Sequence, residues 1–327
     1  MCYNGPSPAG QPRWPASADL HQVHSHLPQG EHVLKNKLIE QDLLMDLKRM
    51  YIESRCECVS TIHHSKAGHL GGPLSATDIL IALYFEVLRI DPSRPDWEDR
   101  DRFILSKGHS AIGLYTVMAL RGYFPVEELK TFDQINSRLQ GHPDMTKLPG
   151  LDMSSGSLGL GLSPAVGMAL GAKIKGKDFR TWVMLGDGEI QEGQIWEAAF
   201  VAERYQLDNL TAILDYNGLQ QYGWSVEVGK NVRRPRLSFD NPGEKFAAWG
   251  WHVLHCDGHD IADVIEACFK AKQVTGRPQI IIARTVKGKG VSYMENDYNW
   301  HSKPMTDENL RVALADLDAA ERALVGA

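Results

Sequence analysis

The residues best suited to chemistry surround a Gly-Asp-Gly turn, Gly186-Asp187-Gly188. The turn follows an apolar run, Thr181 to Leu185, and precedes a helical pattern. This places Asp187 at the carboxyl end of a strand, where open α/β sheets bind their ligands. Flanking glycines let the backbone approach a phosphate, and the helix N-terminus offers it amide donors. A carboxylate beside such a cradle indicates a cation, because Mg²⁺ commonly binds one or two protein oxygens together with phosphate oxygens.

A second polar residue follows the next apolar run, Leu210 to Asp215. Asn217 lies 30 positions after Asp187 and at the same predicted edge of the sheet. Its amide oxygen can bind the same cation. Either turn alone is common in proteins, but their joint placement after two strands favours one shared cation and phosphate site over two unrelated turns.

Five short apolar runs alternate with amphipathic helical patterns through the chain. They predict strands at Arg102–Leu105, Thr181–Leu185, Leu210–Asp215, Trp251–His255 and Gln279–Ala283. A terminal helix is predicted from Thr306 to Leu324. Nearly continuous apolar strands separated by helices are typical of a parallel sheet covered by helices on both faces, so the predicted fold class is α/β.

The start of the chain differs from the rest. Residues 1–33 contain five prolines among serines, glycines and histidines and show no apolar periodicity, which predicts a flexible tail. The tail lacks the basic start and apolar stretch of a signal peptide. Helical periodicity begins near Leu34, and residues 34–327 are predicted to form one α/β domain.

Composition excludes several classes of protein. No apolar run approaches the ~18 residues that a membrane-spanning helix needs. The net charge is −6 and the basic residues are scattered, which argues against nucleic acid as a partner. Five cysteines are an odd number for a disulfide framework, so a cytoplasmic location is expected. Cys56 and Cys58 lie in an apparent helix and are interpreted as packing residues.

Four segments of the chain, in order, resemble the transketolase branch of the thiamine diphosphate enzymes. These segments are Leu105-Ser-Lys-Gly-His109, Gly141-His-Pro143, Gly156-Ser-Leu-Gly-Leu-Gly161 and Gly186-Asp-Gly-Glu-Ile-Gln-Glu-Gly193. The family's motif continues from Gly-Asp-Gly to an Asn, matched here by Asn217. The resemblance covers roughly residues 40 to 303 and implies the diphosphate-binding fold of that family.

The resemblance also implies cofactors and site residues. Thiamine diphosphate and Mg²⁺ are the implied cofactors, with the metal held by Asp187, Asn217 and the backbone carbonyl of Leu219. The implied catalytic histidines are His69, His142 and His301. Glu192 matches an acidic residue at the interface between paired active sites. The implied cofactor-binding residues are His69, His109, Gly156, Ser157, Leu158, Gly186, Asp187, Gly188, Glu192 and Asn217.

The implied activity is transfer of a two-carbon ketol unit from a ketose or its phosphate to an aldose or its phosphate. In the family, a second α/β domain binds the pyrimidine end of the cofactor, and this sequence resembles the diphosphate-binding part alone. It therefore resembles the N-terminal subunit of a split transketolase, expected to act with a C-terminal partner subunit, with two copies of each chain.

The residues leave three alternatives open. The chain could be the alpha subunit of a 2-oxo acid dehydrogenase type enzyme or a fragment of a 1-deoxyxylulose-phosphate synthase. It could also be a regulatory homologue without turnover. Ordinary pentose phosphates are the default substrates, and a modified or sulfonated sugar is the other possibility.

Overall fold

A computed structural model describes residues 41–221 and 241–325 of the 327-residue chain. The predicted tail, residues 1–33, and the predicted start of the first helix near Leu34 lie outside these residues. Eight α-helices fall within the described part of the chain. They are α1 (Gln41–Ser65), α2 (Gly71–Ala82), α3 (Ala111–Arg121), α4 (Leu162–Ile174), α5 (Gly193–Arg204), α6 (Pro242–Ala248), α7 (Ile261–Lys272) and α8 (Asp307–Val325).

One parallel sheet carries the fold. Its strands are β1 (Arg102–Leu105), β2 (Thr181–Gly186), β3 (Leu210–Tyr216), β4 (His252–Asp257) and β5 (Gln279–Arg284). The spatial order is β1-β2-β3-β5-β4, and every neighbouring pair is parallel. The five predicted strands are confirmed, with ends that differ from prediction by at most two residues. The predicted terminal helix is confirmed as α8, shifted by one residue.

Side chains along each strand alternate between two separate core layers. On β5, Ile281 and Ala283 pack into a layer with α1, α2, α3, α7 and α8, whereas Ile280 and Ile282 pack into a layer with α4, α5 and α6. Because successive strand residues point to opposite faces, a strand buried on both sides must be apolar throughout. The predicted α/β class, with helices on both faces, is confirmed.

A long irregular segment, residues 132–161, joins the first helices to α4. Its Asp152 is buried against β1, where it accepts a hydrogen bond from Phe103 N at 2.9 Å and pairs with Arg100 at 2.8 Å. Within the segment, Ser155 N donates to Pro143 O at 3.2 Å. Asp152 thus anchors the segment beside the start of β1, and Gly161 N, which donates to Ser106 Oγ at 3.0 Å, holds its other end at the carboxyl end of β1.

Two further expectations concern exposure. In the described part of the chain, no helix combines the length and apolarity needed to cross a bilayer. Cys56 and Cys58 are buried in α1, Cys256 and Cys268 are likewise buried, and none of these four forms a disulfide within the described residues. The interpretation of Cys56 and Cys58 as packing residues is confirmed.

Candidate active site

The two predicted cation ligands lie side by side at the carboxyl edge of the sheet. Asp187 directly follows β2, and its Oδ2 accepts a hydrogen bond from Gly218 N at 2.5 Å. Asn217 follows β3, and its Oδ1 accepts from Leu219 N at 3.0 Å. Gly188 N donates to the other oxygen of Asp187 at 2.8 Å. The structure therefore brings Asp187, Asn217 and Leu219 together across 30 residues of sequence.

The surroundings of Asp187 destabilise its ionised form, and a bound cation would stabilise that form. Burial raises the pKa of Asp187, the neighbouring Asp215 carboxylate raises it further, and Lys287 only partly offsets both effects. A divalent cation would remove this cost of ionisation. A carboxylate, a side-chain amide oxygen and a backbone carbonyl are all hard oxygen donors, which is the chemistry that Mg²⁺ prefers. Among the described residues, no group of three His, Cys, Asp or Glu side chains is arranged to hold a metal. The donor set therefore fits Mg²⁺.

A buried ion pair lies next to the predicted cation ligands at this edge of the sheet. The Lys107 ammonium donates to Asp215 Oδ2, and both side chains are almost fully buried. Ser75 Oγ also donates to Asp215 at 2.6 Å, and Asn217 Nδ2 reaches Ser75 Oγ at 3.5 Å. Burial alone would raise the pKa of Asp215, but Lys107 and the hydroxyl donors Ser75 and Thr285 hold it below its usual value. The network joins β1, α2, β3 and the residue after β5.

A buried glutamate, Glu189, ties three segments of the site together. Its Oε1 accepts from Ser106 Oγ at 2.6 Å and from Gly159 N at 2.9 Å, while Oε2 accepts from Gly186 N at 3.1 Å. Ser106 follows β1, and Gly159 belongs to the irregular segment. Glu189 thus holds the Gly156–Gly161 segment against the ends of β1 and β2. The role of Glu189 was not predictable from the sequence, because a single Glu beside a glycine turn carries no distinctive pattern.

Lys287 is a second residue that the sequence did not reveal. Its side chain is only 2% exposed, and its Nζ lies 3.1 Å from Gln220 O and 2.8 Å from His301 Nδ1. Burial lowers the pKa of Lys287, although Asp187 opposes that shift. With a pKa of about 8 the group is still mainly an ammonium at pH 7, and its two hydrogen bonds hold that positive charge close to the predicted cation site.

Four predicted histidines form one cluster. The ring centroid of His69 lies 5.1 Å from those of His109 and His301 and 6.3 Å from that of His142. His109 and His301 are 5.0 Å apart. These residues come from four separate segments of the chain, so the fold brings together the histidines that the sequence analysis singled out.

Three of these histidines are held neutral. Burial, followed by the positive charge of Lys107, lowers the pKa of His109 to about 2. Burial and the adjacent Lys287 lower the pKa of His301 to about 3. Burial also lowers the pKa of His69. Neutral imidazoles can donate at one nitrogen and accept at the other, which suits them to hydroxyl and carbonyl groups.

An open cavity of about 560 Å³ lies at the edge of this cluster. It is lined by Gly68, His69, Asp133, Gln140, Gly141, His142, Pro143, Asp144 and Ser154. Of these nine described residues, two carry carboxylates and none is Lys or Arg. The lining therefore presents hydrogen-bonding groups and negative charge, which suits a polyhydroxylated molecule.

Two buried hydroxyls next to His109 lack a hydrogen-bond partner within the described residues. They are Ser110 Oγ and Ser155 Oγ. A Cβ at Gly72 would lie 2.7 Å from Ser110 Oγ, and a Cβ at Gly108 would lie 2.7 Å from Ser155 Oγ. Buried polar atoms of this kind normally have a partner. Each of the two hydroxyls can donate one hydrogen bond to an acceptor oxygen.

The remaining predicted residues lie on the same side of the molecule. A Cβ at Gly156 would lie 3.7 Å from the His142 ring, whereas Ser157 is exposed and Leu158 is 39% exposed. Glu192 is exposed, and a Cβ at Gly159 would lie 2.6 Å from its Cβ. The expectation that Glu192 lies at the surface is confirmed.

Comparison with known families gives one match over most of the chain. Residues 48–320 match the family described as transketolase, thiamine diphosphate binding domain. The 6-deoxy-6-sulfo-D-fructose transketolase subunit SqwG of a Clostridium species is 43% identical over 251 residues, covering 77% of this chain and 88% of the relative. An apulose-4-phosphate transketolase subunit from Phocaeicola vulgatus is 39% identical over 265 residues, covering 81% of this chain and 91% of the relative.

Solved structures agree with the family match. A crystal structure of transketolase from Campylobacter jejuni has a TM-score of 0.73 and 30% identity, covering 86% of this chain and 45% of that one. A transketolase complex with sedoheptulose 7-phosphate from Pichia stipitis gives 0.73 and 30%, covering 86% and 44%. The chain thus spans less than half of these transketolases but most of the two subunit relatives.

Proposed function

The chain belongs to the family of transketolase thiamine diphosphate-binding domains, and from that premise we propose that it is the N-terminal subunit of a split transketolase. It transfers a two-carbon ketol unit from a ketose to an aldose together with a C-terminal partner subunit. The observation that carries the proposal is the cluster of four histidines beside the Asp187 and Asn217 edge, with an open polar cavity next to it.

Asp187, Asn217 and the Leu219 carbonyl would hold Mg²⁺, and His109, Lys287 and the two unpartnered serine hydroxyls would face the diphosphate. Thiamine diphosphate supplies a nucleophilic carbon that can carry the two-carbon unit, and the protein supplies position and electrostatics. The ammonium of Lys287, which is itself buried, would offset phosphate charge.

His301 has a defined proton arrangement. The Lys287 ammonium has only donors to offer, so His301 Nδ1 accepts from it at 2.8 Å, and the neutral ring must carry its proton on Nε2. Nε2 is then a donor for the ketose carbonyl oxygen, which becomes more negative when a nucleophile adds to the carbonyl carbon. His69 and His142 line the cavity and can take up or return the hydroxyl proton of the sugar.

The cavity also bears on the substrate class. Asp133 and Asp144 would repel a phosphate or sulfonate, and both can accept hydrogen bonds from sugar hydroxyls. We therefore assign the hydroxylated part of the sugar to this cavity and the anionic end of the substrate to groups of the partner subunit. The two named subunit relatives act on a sulfonated fructose and on a sugar phosphate. Pentose phosphates and a sulfonated sugar each have a hydroxylated part and an anionic end, so both remain candidate substrates.

The partner subunit would cover the pyrimidine end of the cofactor. Leu158 and Leu160 are 39% and 38% exposed in the segment that Glu189 fixes beside the site. Apolar side chains held rigidly at the rim of a site suit a protein cover. We propose a cytoplasmic assembly with two copies of each chain, because closed twofold symmetry is the usual arrangement.

Isotope transfer tests the reaction. The reconstituted pair of subunits is mixed with Mg²⁺, thiamine diphosphate, a ketose phosphate labelled with ¹³C at carbons 1 and 2, and an unlabelled aldose phosphate. Both labels should appear together, still bonded to each other, in the ketose formed from the acceptor. A sulfonated ketose serves as the second donor. Release of labelled carbon dioxide, or no transfer from either donor, would contradict the proposal.

A further inference from the structure

A chain of buried charged and polar groups runs from α1 to the loop that follows β5. Arg55 Nη2 donates to Asp78 Oδ2 at 2.6 Å, and both side chains are nearly inaccessible to solvent. The same carboxylate oxygen lies 2.6 Å from His259 Nδ1. His259 Nε2 then accepts a hydrogen bond from Val286 N at 2.8 Å. The chain connects residues that are more than 200 positions apart in sequence, Arg55 and Val286.

The partners of His259 fix its tautomer. A backbone N–H can only donate, so Nε2 must offer its lone pair to Val286. The proton of the neutral ring therefore lies on Nδ1 and is donated to Asp78. Burial would raise the pKa of Asp78, but Arg55 and His259 hold it below the usual value, so the acceptor is a carboxylate. Each group in this chain is therefore fixed as a hydrogen-bond donor or acceptor by its neighbour.

Val286 immediately precedes Lys287, whose ammonium is fixed between Gln220 O and His301 Nδ1. The loop is also held at Gly288, whose N donates to Gly71 O at 3.0 Å. The turn that carries His259 abuts the loop directly, since a Cβ at Gly258 would lie 2.5 Å from Thr285 Cγ2. A shift at His259 would therefore move the backbone that presents the ammonium.

We propose that His259 is a positioning residue, held in its Nδ1–H form by Asp78 and Arg55, that fixes the Val286 backbone and so places Lys287 and His301 at the site. His259, Asp78 and Arg55 do not line the cavity. The link to cofactor binding rests on the proposed function, whereas the link to the loop's backbone does not. Two readouts separate the two claims.

The first readout is hydrogen exchange in the full chain without cofactor. His259→Phe keeps a ring of similar size but removes both hydrogen bonds. We expect exchange in the peptide that spans residues 284–291 to accelerate about fivefold or more, because the Val286 amide loses its acceptor. His259→Gln, whose amide can accept from Val286 and donate to Asp78, should restore most of the protection. His255→Phe, at an exposed position on β4, is the matched control and should leave this peptide unchanged.

The second readout is the affinity of the reconstituted complex for thiamine diphosphate with Mg²⁺, measured by calorimetry. His259→Phe should weaken binding about tenfold, as expected when a charge-assisted contact is misplaced. In a Lys287→Met background the same substitution should change affinity by less than about twofold, because coupled residues are non-additive. If His259→Phe acted only through a general loss of packing, it would weaken thiamine diphosphate binding by the same factor in both backgrounds.

Faster exchange together with non-additive affinities supports the positioning role of His259. Unchanged exchange in His259→Phe, or a full tenfold loss in the Lys287→Met background, would overturn it. If the wild-type complex binds no thiamine diphosphate, the proposed function fails, and the exchange measurement alone decides whether His259 holds the loop. If His259→Phe does not fold, His259→Gln with retained protection supports the proposal, and its loss of protection contradicts it.

Discussion

Asp187, the proposed Mg²⁺ ligand, carries a local cost to stability. Its carboxylate is stabilised by the backbone N–H groups of Gly188 and Gly218, yet burial and the charge of Asp215 still raise its pKa. A group arranged in this way gains most when a cation binds. The residue is therefore expected to matter for cofactor binding far more than for folding of the chain.

Replacement of Asp187 by Asn should separate these two effects. We expect Mg²⁺-dependent binding of thiamine diphosphate to weaken about a hundredfold or more, because a neutral amide replaces the charged ligand. The free energy of unfolding should change by less than about 1 kcal/mol, since Asn can still accept a backbone hydrogen bond. Calorimetry and denaturant unfolding provide the two numbers. Glu197→Gln on exposed α5 is the control, and equal binding by Asp187→Asn and wild type would refute the ligand assignment.

His301 predicts a pH dependence of stability. Its pKa falls from the ordinary value of 6.5 to about 3 in the folded chain, chiefly through burial. Between these two values the unfolded state binds more protons than the native state. Stability should therefore decrease as pH falls below 6.5, with a slope of at most about 1.4 kcal/mol per pH unit from this residue.

The measurement is urea unfolding of the cofactor-free chain at pH 7 and pH 5. His301→Gln should lose less stability than wild type over this interval, because one proton-linked group is gone. Ser302→Ala, an exposed neighbour that does not titrate, should follow wild type. Identical pH slopes for His301→Gln and wild type would show that His301 is protonated in the folded state as readily as in the unfolded state.

Local motifs predicted some site residues and not others, for a physical reason. Asp187 and Asn217 sit in glycine turns after apolar runs, and such turns are visible in a sequence. Lys287 and Glu189 gain their importance from partners that are close only in the fold, such as Ser106, which is 83 residues from Glu189. No local pattern records a contact of that range. Their roles could be found only from coordinates.

The segment Gly156–Gly161 is tightly packed at its last residue. Helix α4, which follows it, has open space beside one of its glycines. A Cβ at Gly161 would overlap Ser106 Oγ and lie 2.8 Å from Ser106 Cα. Part of that contact is backbone, so it cannot be relieved by a side-chain rotation. At Gly167, one helical turn and a half further on, a Cβ would meet nothing within 4 Å.

Alanine at these two glycines should have opposite effects on stability. Gly161→Ala is expected to cost about 1–3 kcal/mol, because it forces the segment away from the end of β1. Gly167→Ala is expected to stabilise by about 0.5–1 kcal/mol, because it replaces glycine at an exposed position inside a helix. Denaturant unfolding of the cofactor-free chain measures both. Equal effects of the same sign would show that the segment is not packed against Ser106.

The elements themselves were more predictable than their arrangement. The three central strands, β2, β3 and β5, are buried and largely apolar on both faces, and short apolar runs also marked β1 and the partly exposed β4. The order of the sheet was not predictable, because β5 lies between β3 and β4 and nothing local specifies that neighbour. The irregular segment 132–161 carries no periodicity, so its path beside the site followed only from contacts such as Gly159 with Glu189.

Taken as a whole, the molecule is proposed to provide one side of a cofactor site. The predicted cation ligands, the Lys287 ammonium and the histidine cluster all lie at the carboxyl edge of the sheet, and the cavity beside them is open. The chain covers most of two transketolase subunits but less than half of single-chain transketolases. Both facts agree with a site that a second polypeptide completes.

We therefore propose that catalysis requires two different chains. The full chain and its partner are purified separately and assayed for ketol transfer from a ketose phosphate to an aldose phosphate, each alone and then together, with Mg²⁺ and thiamine diphosphate. We predict no turnover from either chain alone and restored turnover on mixing, with His142→Ala in this chain abolishing it in the mixture. Full turnover by this chain without a partner would contradict the account.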